Sequence, residues 1–269
     1  MPASPSPARR RLLLVLLALV AVAAVAATAL VLRSGEGPAA AAPAPREEEP
    51  GPVLLVPGYG GSTAALSPLA GRLTAEGRDA TVVALPGDGT GDLAQAAEAL
   101  GAAADAALTR TGAGSVDVVG YSAGGVVARL WVADGGADVA RRVVTLGSPH
   151  HGTTLADLAT RLAPDRCPEG CRQLATDSPL LAGLNAGDET PDGPTWVSIW
   201  TAQDETVTPP ESARLDGALE LPVQSVCAGA QVGHGGLPRD PLVQSIVVAQ
   251  LGPGDPVPLG PDDCARLGG

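Results

Sequence analysis

The chain has 269 residues, of which 45% are apolar and 17% are charged. This composition is typical of a folded globular protein and excludes disorder along the whole chain. The formal net charge is −12 and all 17 basic residues are Arg, which excludes a protein that binds a nucleic-acid backbone through a basic face. Since the chain has no Phe, three Trp and two Tyr, its core must be built from Val, Leu and Ala.

The N-terminal region predicts export. Three Arg at positions 9–11 precede an uncharged run, residues 12–32, which as a helix would be about 31 Å long and could cross a bilayer. The Arg cluster is expected to stay inside, so that everything after residue 33 lies outside. A cleaved signal peptide has a shorter apolar stretch, although the small residues at 39–44 would permit cleavage. Residues 1–33 are therefore a signal peptide or, as the sequence favours, an N-terminal membrane anchor.

A change in composition after this region marks a domain boundary. Residues 34–51 are rich in Pro, Ala, Gly and Glu and show no apolar periodicity, which is typical of an exposed linker. A single folded domain is predicted over residues 52–269. From residue 46 onward the chain has 13 Arg against 28 acidic residues, a net charge of −15. Such a charge favours solubility.

The four cysteines indicate two disulfide bonds, because an exported domain folds in an oxidising compartment. Four cysteines permit three pairings. Proximity in the sequence favours Cys167 with Cys171, which leaves Cys227 with Cys264 and would tie the Pro- and Gly-rich tail to the domain. A zinc site that joins the first pair to the histidines at 150–151 is an alternative, which the same compartment disfavours.

The pattern of apolar residues predicts an α/β fold. Six short runs rich in Val and Leu are continuous rather than alternating, which is typical of strands that are buried on both faces. Helix-like segments alternate with them, as in a mostly parallel central sheet with helices on both faces. The predicted strands are 53–56, 80–85, 116–119, 143–146, 196–200 and 223–227, and the predicted helices are 66–76, 92–109, 123–133 and 241–251.

Residues 150–192 interrupt this alternation. They contain two of the cysteines and only short apolar patches. Ligands of open parallel sheets bind at the carboxyl ends of the strands. The segment is therefore predicted to be a small insertion over that edge of the sheet, and the sequence leaves open whether it moves as a lid.

A pentapeptide after the third predicted strand carries the first chemical signal. Gly120-Tyr121-Ser122-Ala123-Gly124 lies between a buried strand and a helix, which is the context of a nucleophilic serine. The flanking positions must be Gly because side chains there would collide with the tight turn. The turn also points the N–H of Ala123 and the positive end of the helix at a developing oxyanion. The alternative is a turn in which Ser122 only caps the helix.

Two later residues would complete a catalytic triad with this serine. Serine needs a base, usually His, which a carboxylate orients. His234 follows the last predicted strand in a Gly-rich loop, and Asp204 follows the strand 196–200. Both are therefore expected at the carboxyl edge of the sheet, close to Ser122. The order Ser, Asp, His is that of the α/β-hydrolase triad.

These motifs resemble those of small secreted bacterial lipases and esterases, class 2 lipase-like proteins of the α/β-hydrolase superfamily. The resemblance implies an α/β-hydrolase fold and a catalytic triad formed by Ser122, Asp204 and His234. It is carried by VLLVPGYGG (53–61), GYSAGG (120–125), GSPHHGT (147–153), WTAQDETVTP (200–209) and GHGGL (233–237).

The same resemblance implies an oxyanion hole formed by the backbone N–H groups of Tyr59 and Ala123. In many relatives the loop after the first strand carries a His-Gly pair, whereas this chain has Pro57-Gly58. This departure keeps the N–H donor and changes the hydrogen bonding around it. Tyr59 and Tyr121 flank the predicted oxyanion site, where they either wall an acyl pocket or pack as ordinary aromatic residues.

Other residues compete for the roles of acid and base. Glu205 adjoins Asp204, and Asp88 follows the second predicted strand in a Pro-Gly-Asp-Gly turn. The Asp-x-x-Val-x-Pro sequence that begins at Asp204 favours Asp204 through the family resemblance. The histidines at 150–151 are expected to line the cleft or to hold the insertion rather than to act as the base.

The predicted function is hydrolysis of carboxylic esters through an acyl-enzyme, which needs no cofactor and no metal. An apolar insertion beside the nucleophile favours lipid (acylglycerol) esters. The predicted partners are an ester or lipid substrate and, through residues 12–32, a membrane; the predicted location is extracytoplasmic, either secreted or anchored. Two alternatives stay open: an acyltransferase or thioesterase with the same triad, and an inactive membrane-anchored binding protein.

Overall fold

Six strands form one sheet at the centre of the computed structural model, which describes residues 49–268. The strands are β1 (Val53–Val56), β2 (Ala80–Val82), β3 (Val116–Tyr121), β4 (Ala140–Leu146), β5 (Thr195–Trp200) and β6 (Leu219–Pro222). Their order across the sheet is β2-β1-β3-β4-β5-β6, and every neighbouring pair is parallel. The prediction of a parallel sheet is therefore confirmed.

Helices cover both faces of this sheet. They are α1 (Thr63–Ala75), α2 (Leu93–Thr111), α3 (Ala123–Ala133), α4 (Thr154–Leu162), α5 (Glu169–Gln173), α6 (Pro179–Leu184), α7 (Val223–Val226), α8 (Pro241–Gln250) and α9 (Cys264–Leu267). Helices α2 and α3 share an apolar cluster with one face of the sheet, and α1 and α8 share another with the opposite face. In β1, for example, Leu54 belongs to the first cluster and Leu55 to the second. Burial on both faces explains why strands such as β1 have apolar residues at consecutive positions.

The sixth strand lies earlier in the chain than the sequence predicts. The apolar run 223–227 predicts a strand, but this prediction is wrong: the strand is β6, and Val223–Val226 form the short helix α7. Pro222 ends the strand because its ring fixes φ, here −60°, and because it has no N–H for a further ladder bond. Val223 and Val226 are nevertheless buried, so the apolar run signals burial and not strand geometry.

The predicted signal peptide or anchor, including the run 12–32, and most of the predicted linker 34–51 lie outside the described residues. Within residues 49–268, no helix is both long enough and apolar enough to cross a membrane. Gly51, at the end of the predicted linker, is buried, and its carbonyl accepts a hydrogen bond from Arg78. The chain is therefore packed against the domain from Gly51 onward.

Both predicted disulfides are present. Cys167 pairs with Cys171 in the insertion; Cys167 lies two residues before α5 and Cys171 lies within it. Cys227 pairs with Cys264 and joins the end of α7 to the start of α9. The first disulfide occupies both thiols that the zinc alternative requires, which rules out that alternative.

A buried ion cluster lies at the amino end of the sheet. Asp117 of β3 and Arg141 of β4 are inaccessible to solvent and form two hydrogen bonds, each 2.7 Å long. Arg78, which precedes β2, donates to the same carboxylate. Arg141 also donates to the carbonyls of Leu251 and Gly252, so the cluster links the sheet to the tail of the chain.

Candidate active site

Ser122 occupies a strained turn between β3 and α3. Its φ is 54° and its ψ is −127°, and it is the only residue other than Gly with positive φ within residues 49–268. Such a conformation costs roughly 1–3 kcal/mol and persists only where the surroundings enforce it. Here the N–H of Ser122 donates to the carbonyl of Leu146 in the neighbouring strand β4. The turn therefore places Ser122 at the carboxyl edge of the sheet, directly after β3.

Glycines permit this turn, for two different reasons. A Cβ on Gly120 would lie 2.6 Å from the carbonyl oxygen of Gly124, inside the turn itself. A Cβ on Gly124 would lie 2.2 Å from the carbonyl oxygen of Val56, at the end of β1. Both contacts are shorter than atoms tolerate. The first agrees with the predicted collision within the turn, whereas the second reflects close approach of α3 to the adjacent strand.

The structure brings the three predicted triad residues into one hydrogen-bonded line. His234 Nε2 lies 3.0 Å from Ser122 Oγ, and His234 Nδ1 lies 2.7 Å from Asp204 Oδ2. The other carboxylate oxygen of Asp204 accepts hydrogen bonds from the N–H groups of Thr206 and Val207. The side chains of His234 and Asp204 are only 7% and 2% exposed. This geometry orients the imidazole toward the serine hydroxyl.

Ser122 does not cap α3 with its side chain, as the alternative interpretation of the motif requires. It stands at the N-cap position, but its hydroxyl makes no capping hydrogen bond. The hydroxyl is instead within hydrogen-bond distance of His234 Nε2. A serine on a strained turn with an imidazole as its partner is the arrangement of a nucleophile and its base.

The competing carboxylates have other roles in the structure. Glu205 is exposed, and its carboxylate accepts a hydrogen bond from the backbone N–H of His234 rather than from the imidazole. Asp88 accepts hydrogen bonds from the N–H and the hydroxyl of Thr90, as expected for a turn residue. Asp204 alone of the three contacts the imidazole of His234.

Exchange of the two adjacent acids tests this assignment. We expect Asp204→Asn to lower kcat for ester hydrolysis by about 10³- to 10⁴-fold, because an amide in this place favours the wrong imidazole tautomer. The amide oxygen can still accept the bonds from Thr206 and Val207, so the loop should keep its shape. The matched variant Glu205→Gln should stay within about threefold of the wild type, since its contact is to the backbone of His234. Steady-state kinetics on a p-nitrophenyl ester give the comparison, and equal losses in both variants would contradict it.

The two histidines at 150–151 hold the insertion. His150 is fully buried, and burial, followed by the charge of Arg129, lowers its pKa well below the usual value. Its carbonyl accepts a hydrogen bond from Asn185, while the His151 imidazole lies 2.8 Å from the Glu189 carboxylate. Both partners belong to residues 150–192. Of the two predicted roles, the structure therefore favours the structural one.

Tyr121 supports the loop that carries His234. Its ring centroid lies 5.2 Å from that of the imidazole, and its hydroxyl donates to the carbonyl of His234. Burial, together with the charge of Asp204, raises the pKa of Tyr121 to about 12. Tyr121 is not among the residues that line the cleft beside Ser122, so of the two alternatives for Tyr121 the structure favours ordinary packing.

The predicted oxyanion donors lie close to the nucleophile. Neither the N–H of Tyr59 nor that of Ala123 has a hydrogen-bond acceptor among the described residues. The loop before Tyr59 approaches so closely that a Cβ on Gly58 would be 2.9 Å from Ser122 Cβ. Two unpaired N–H groups beside a serine are available to bind an oxyanion. The departure from the His-Gly pair of many relatives thus leaves both donors free.

An apolar cleft opens beside Ser122. It has a volume of about 280 Å³, and we call it the Ser122 cleft. Residues of α4, in the insertion, form one wall of the cleft, and Cys171 of the first disulfide also lines the cleft. Its lining includes Tyr59, Ser122, Leu155, Ala156, Ala159, Cys171, Leu174 and Val207. The insertion therefore lies at the reaction centre, as the sequence predicts.

Residues 105–226 match the model of the family described as lipase (class 2). This segment contains Ser122 and Asp204, while His234 and Tyr59 lie outside it. No curated protein matches the chain in sequence.

Solved structures of lipases share the fold. Lipase B from Aspergillus fumigatus is 20% identical with a TM-score of 0.62, and the match covers 81% of this chain and 60% of that one. The mature form of the Bacillus licheniformis lipase BlEst2 is 21% identical with a TM-score of 0.64, covering 76% of this chain and 94% of that one. This chain thus spans about 60% of the length of the Aspergillus enzyme, less than two thirds of it.

A parallel sheet with a serine on the turn after β3 defines an α/β-hydrolase fold, which these structures share. Together with the family match, which covers somewhat less than half of the chain, they show that residues 105–226 are similar to class 2 lipases and that the chain has the fold of these enzymes.

Proposed function

We propose that the protein hydrolyses lipid esters, of the acylglycerol type, through an acyl-enzyme on Ser122. The observation that carries the proposal is the hydrogen-bonded line from Asp204 through His234 to Ser122. The unpaired N–H groups of Tyr59 and Ala123 also support it, because they are free to bind an oxyanion. The family match supports ester hydrolysis as the reaction class.

The proposed reaction has two steps. His234 takes the proton of Ser122 as the hydroxyl oxygen attacks the ester carbonyl, and the N–H groups of Tyr59 and Ala123 stabilise the oxyanion. The C–O bond to the alcohol then breaks, and the alcohol leaves with the proton from His234. Water, deprotonated by His234, attacks the acyl-enzyme and releases the carboxylic acid. Asp204 stabilises the imidazolium in both steps.

The surface around the Ser122 cleft supports a lipid substrate. Leu155, Leu158 and Leu162 on α4 are exposed, Leu162 by 75%. At 100° per residue they occupy an arc of about 60° on the helix. Leu155 also lines the Ser122 cleft, so this apolar stripe continues into the mouth of the cleft. Contiguous exposed apolar residues at a cleft mark an interaction surface.

Polar replacement of the stripe tests its role. We expect the double variant Leu158→Ser, Leu162→Ser to hydrolyse emulsified acylglycerol roughly tenfold more slowly, because apolar contact with the lipid surface is lost. Hydrolysis of a dissolved p-nitrophenyl ester should not change, since neither side chain lines the Ser122 cleft. Val257→Ser, at an exposed apolar residue in the C-terminal tail, is the control. Equal rates for the double variant and the control on the emulsion would contradict the proposed role.

Ester hydrolysis itself is tested with the full chain on p-nitrophenyl esters of increasing acyl length. A preference for long chains would support a lipase, whereas a preference for short chains would make the protein an esterase. Added alcohol separates hydrolysis from acyl transfer, because an acyltransferase would form the new ester in preference to the acid. Absence of turnover on every ester by folded protein would refute the proposal.

We further propose that the domain functions outside the cytoplasm. The two disulfides indicate an extracellular protein. The apolar run 12–32 would direct export and, if retained, anchor the domain to the membrane. N-terminal sequencing of the native protein tests the anchor, since a mature chain that starts between about residues 38 and 47 would contradict it.

A further inference from the structure

A second cavity shares the side chain of Tyr59 with the Ser122 cleft. Its volume is about 210 Å³, and we call it the Asp88 cavity. Gly58 and Ala123 line it, and both are next to the reaction centre: Gly58 packs on Ser122, and Ala123 follows it in the chain. Tyr59 belongs to both cavities. The two cavities therefore meet at the proposed oxyanion site.

The two cavities differ in chemistry. The Ser122 cleft is bordered mostly by apolar side chains, by the uncharged Thr153 and Thr206, and by one exposed basic residue, Arg166, and it contains no carboxylate. The Asp88 cavity is bordered by the carboxylates of Asp88 and Asp92 and by the polar Thr90 and Gln95, over an apolar floor, and its lining contains no basic residue. The second cavity therefore favours polar and positively charged groups and disfavours anions.

Asp88 is the carboxylate that is free to act on a ligand. Its Oδ1 accepts both hydrogen bonds from Thr90, while its Oδ2 has no hydrogen-bond partner among residues 49–268. Asp92, in contrast, caps α2 and accepts a hydrogen bond from Gln173. The hydrogen bonds from Thr90 lower the pKa of Asp88, so it is ionised at neutral pH. The charge of Asp88 also acts on the proposed oxyanion loop. The pKa of Tyr59 is raised mainly by burial and, to a smaller extent, by the negative charge of Asp88.

An ester bound at Ser122 must place its two substituents in different directions. The acyl chain of a lipid ester is apolar, and the alcohol is polar. We propose that the acyl chain enters the Ser122 cleft, that the leaving alcohol occupies the Asp88 cavity, and that Asp88 selects alcohols with a positive charge over those with a negative charge. This inference rests on the proposed ester hydrolysis and adds to it the class of alcohol that the enzyme accepts.

The test uses three butyrate esters that differ only in the alcohol. The alcohols are choline, its uncharged analogue 3,3-dimethylbutanol, and 3-hydroxypropanoate, which is anionic. We expect the wild-type full chain to have a kcat/KM for the choline ester about tenfold or more above that for the anionic ester, since unit charges a few ångströms apart interact appreciably near a protein surface. Asp88→Asn, which keeps the acceptor for Thr90, should reduce this ratio several-fold.

Two controls isolate the effect of Asp88. Asp105→Asn makes the same change of charge at an exposed position on α2, about 19 Å along the helix from Asp92, and should leave the ratio unchanged. Ethyl esters of acids that carry the same positive or negative groups report on the acyl side. If Asp88→Asn changed the kcat/KM ratio of the charged esters in the acyl series and not in the alcohol series, the assignment of the two cavities would be reversed and the proposal overturned. An unchanged ratio in the alcohol series of Asp88→Asn would also overturn it. Failure to hydrolyse any ester would instead refute the underlying ester hydrolysis.

Discussion

Ser122→Ala should lower kcat on a p-nitrophenyl ester by about 10⁴- to 10⁶-fold, the largest effect expected of any single substitution in this chain. In the proposed mechanism the hydroxyl oxygen forms the acyl-enzyme, and no other hydroxyl within residues 49–268 forms a hydrogen bond with the imidazole of His234. The oxyanion donors and both cavities are unaffected, so residual activity would come from them alone. Steady-state kinetics over a series of acyl lengths measure the loss.

The control is Ser67→Ala, an exposed serine on α1 whose hydroxyl bonds only to the preceding turn of the helix. A fluorescent organophosphonate provides an independent readout, because it reacts covalently with an activated serine. We expect it to label the wild type and Ser67→Ala and to leave Ser122→Ala unlabelled. If Ser122→Ala retained full activity while correctly folded, the proposed nucleophile would be wrong. If the wild type resisted labelling, the binding-protein alternative would gain support.

Asp117→Ala should have the largest effect on stability. It leaves the guanidinium groups of Arg141 and Arg78 without their carboxylate, and Arg141 is inaccessible to solvent. Removal of one partner from a buried ion pair costs about 3–5 kcal/mol. For a domain of this size the loss corresponds to a decrease in Tm of roughly 6–20 °C. Thermal unfolding followed by circular dichroism measures it.

The matched control is Asp79→Ala. Asp79 also forms an ion pair with an arginine, Arg110, but the side chains of both partners are more than one third exposed. Exposed pairs contribute about 1 kcal/mol or less, so the Tm of Asp79→Ala should decrease by only a few degrees. Similar decreases in Tm in both variants would show that burial does not determine how much the Asp117 cluster contributes to stability.

The sequence predicts the positions of the candidate triad because a local motif carries each one. Ser122 follows from glycine spacing around a turn, and Asp204 from its place after a buried strand together with the family resemblance. His234 follows from its place after the last strand, although that strand lies earlier in the chain than predicted. Parallel strands put these loops at one edge of the sheet, and the structure finds the three side chains together. Chain order and strand direction are therefore sufficient to bring distant residues into one site.

Features that depend on packing between distant segments could not be predicted in this way. The apolar run 223–227 indicates a strand because apolar residues such as Val223 are typical of buried strands. In the structure, however, β5 pairs with the residues before this run, and the sequence does not reveal that pairing. The presence of Pro222 before the run was the available signal. The reason for glycine at position 124 lies in the carbonyl of Val56, 68 residues earlier. The Asp88 cavity, formed by a loop and a helix around Tyr59, has no sequence motif.

The tail of the chain is secured at both ends. Arg142 donates to the carbonyls of Gln250, Gly252 and Gly254, and the Cys227–Cys264 disulfide closes the far end. An enzyme that works outside the cell meets proteases of other organisms, and exposed Pro- and Gly-rich segments are among their preferred sites. A single cut between residues 254 and 263 would leave α9 covalently attached to the domain. The loop around His234 would then remain in a connected molecule, and we expect the domain to tolerate such a cut.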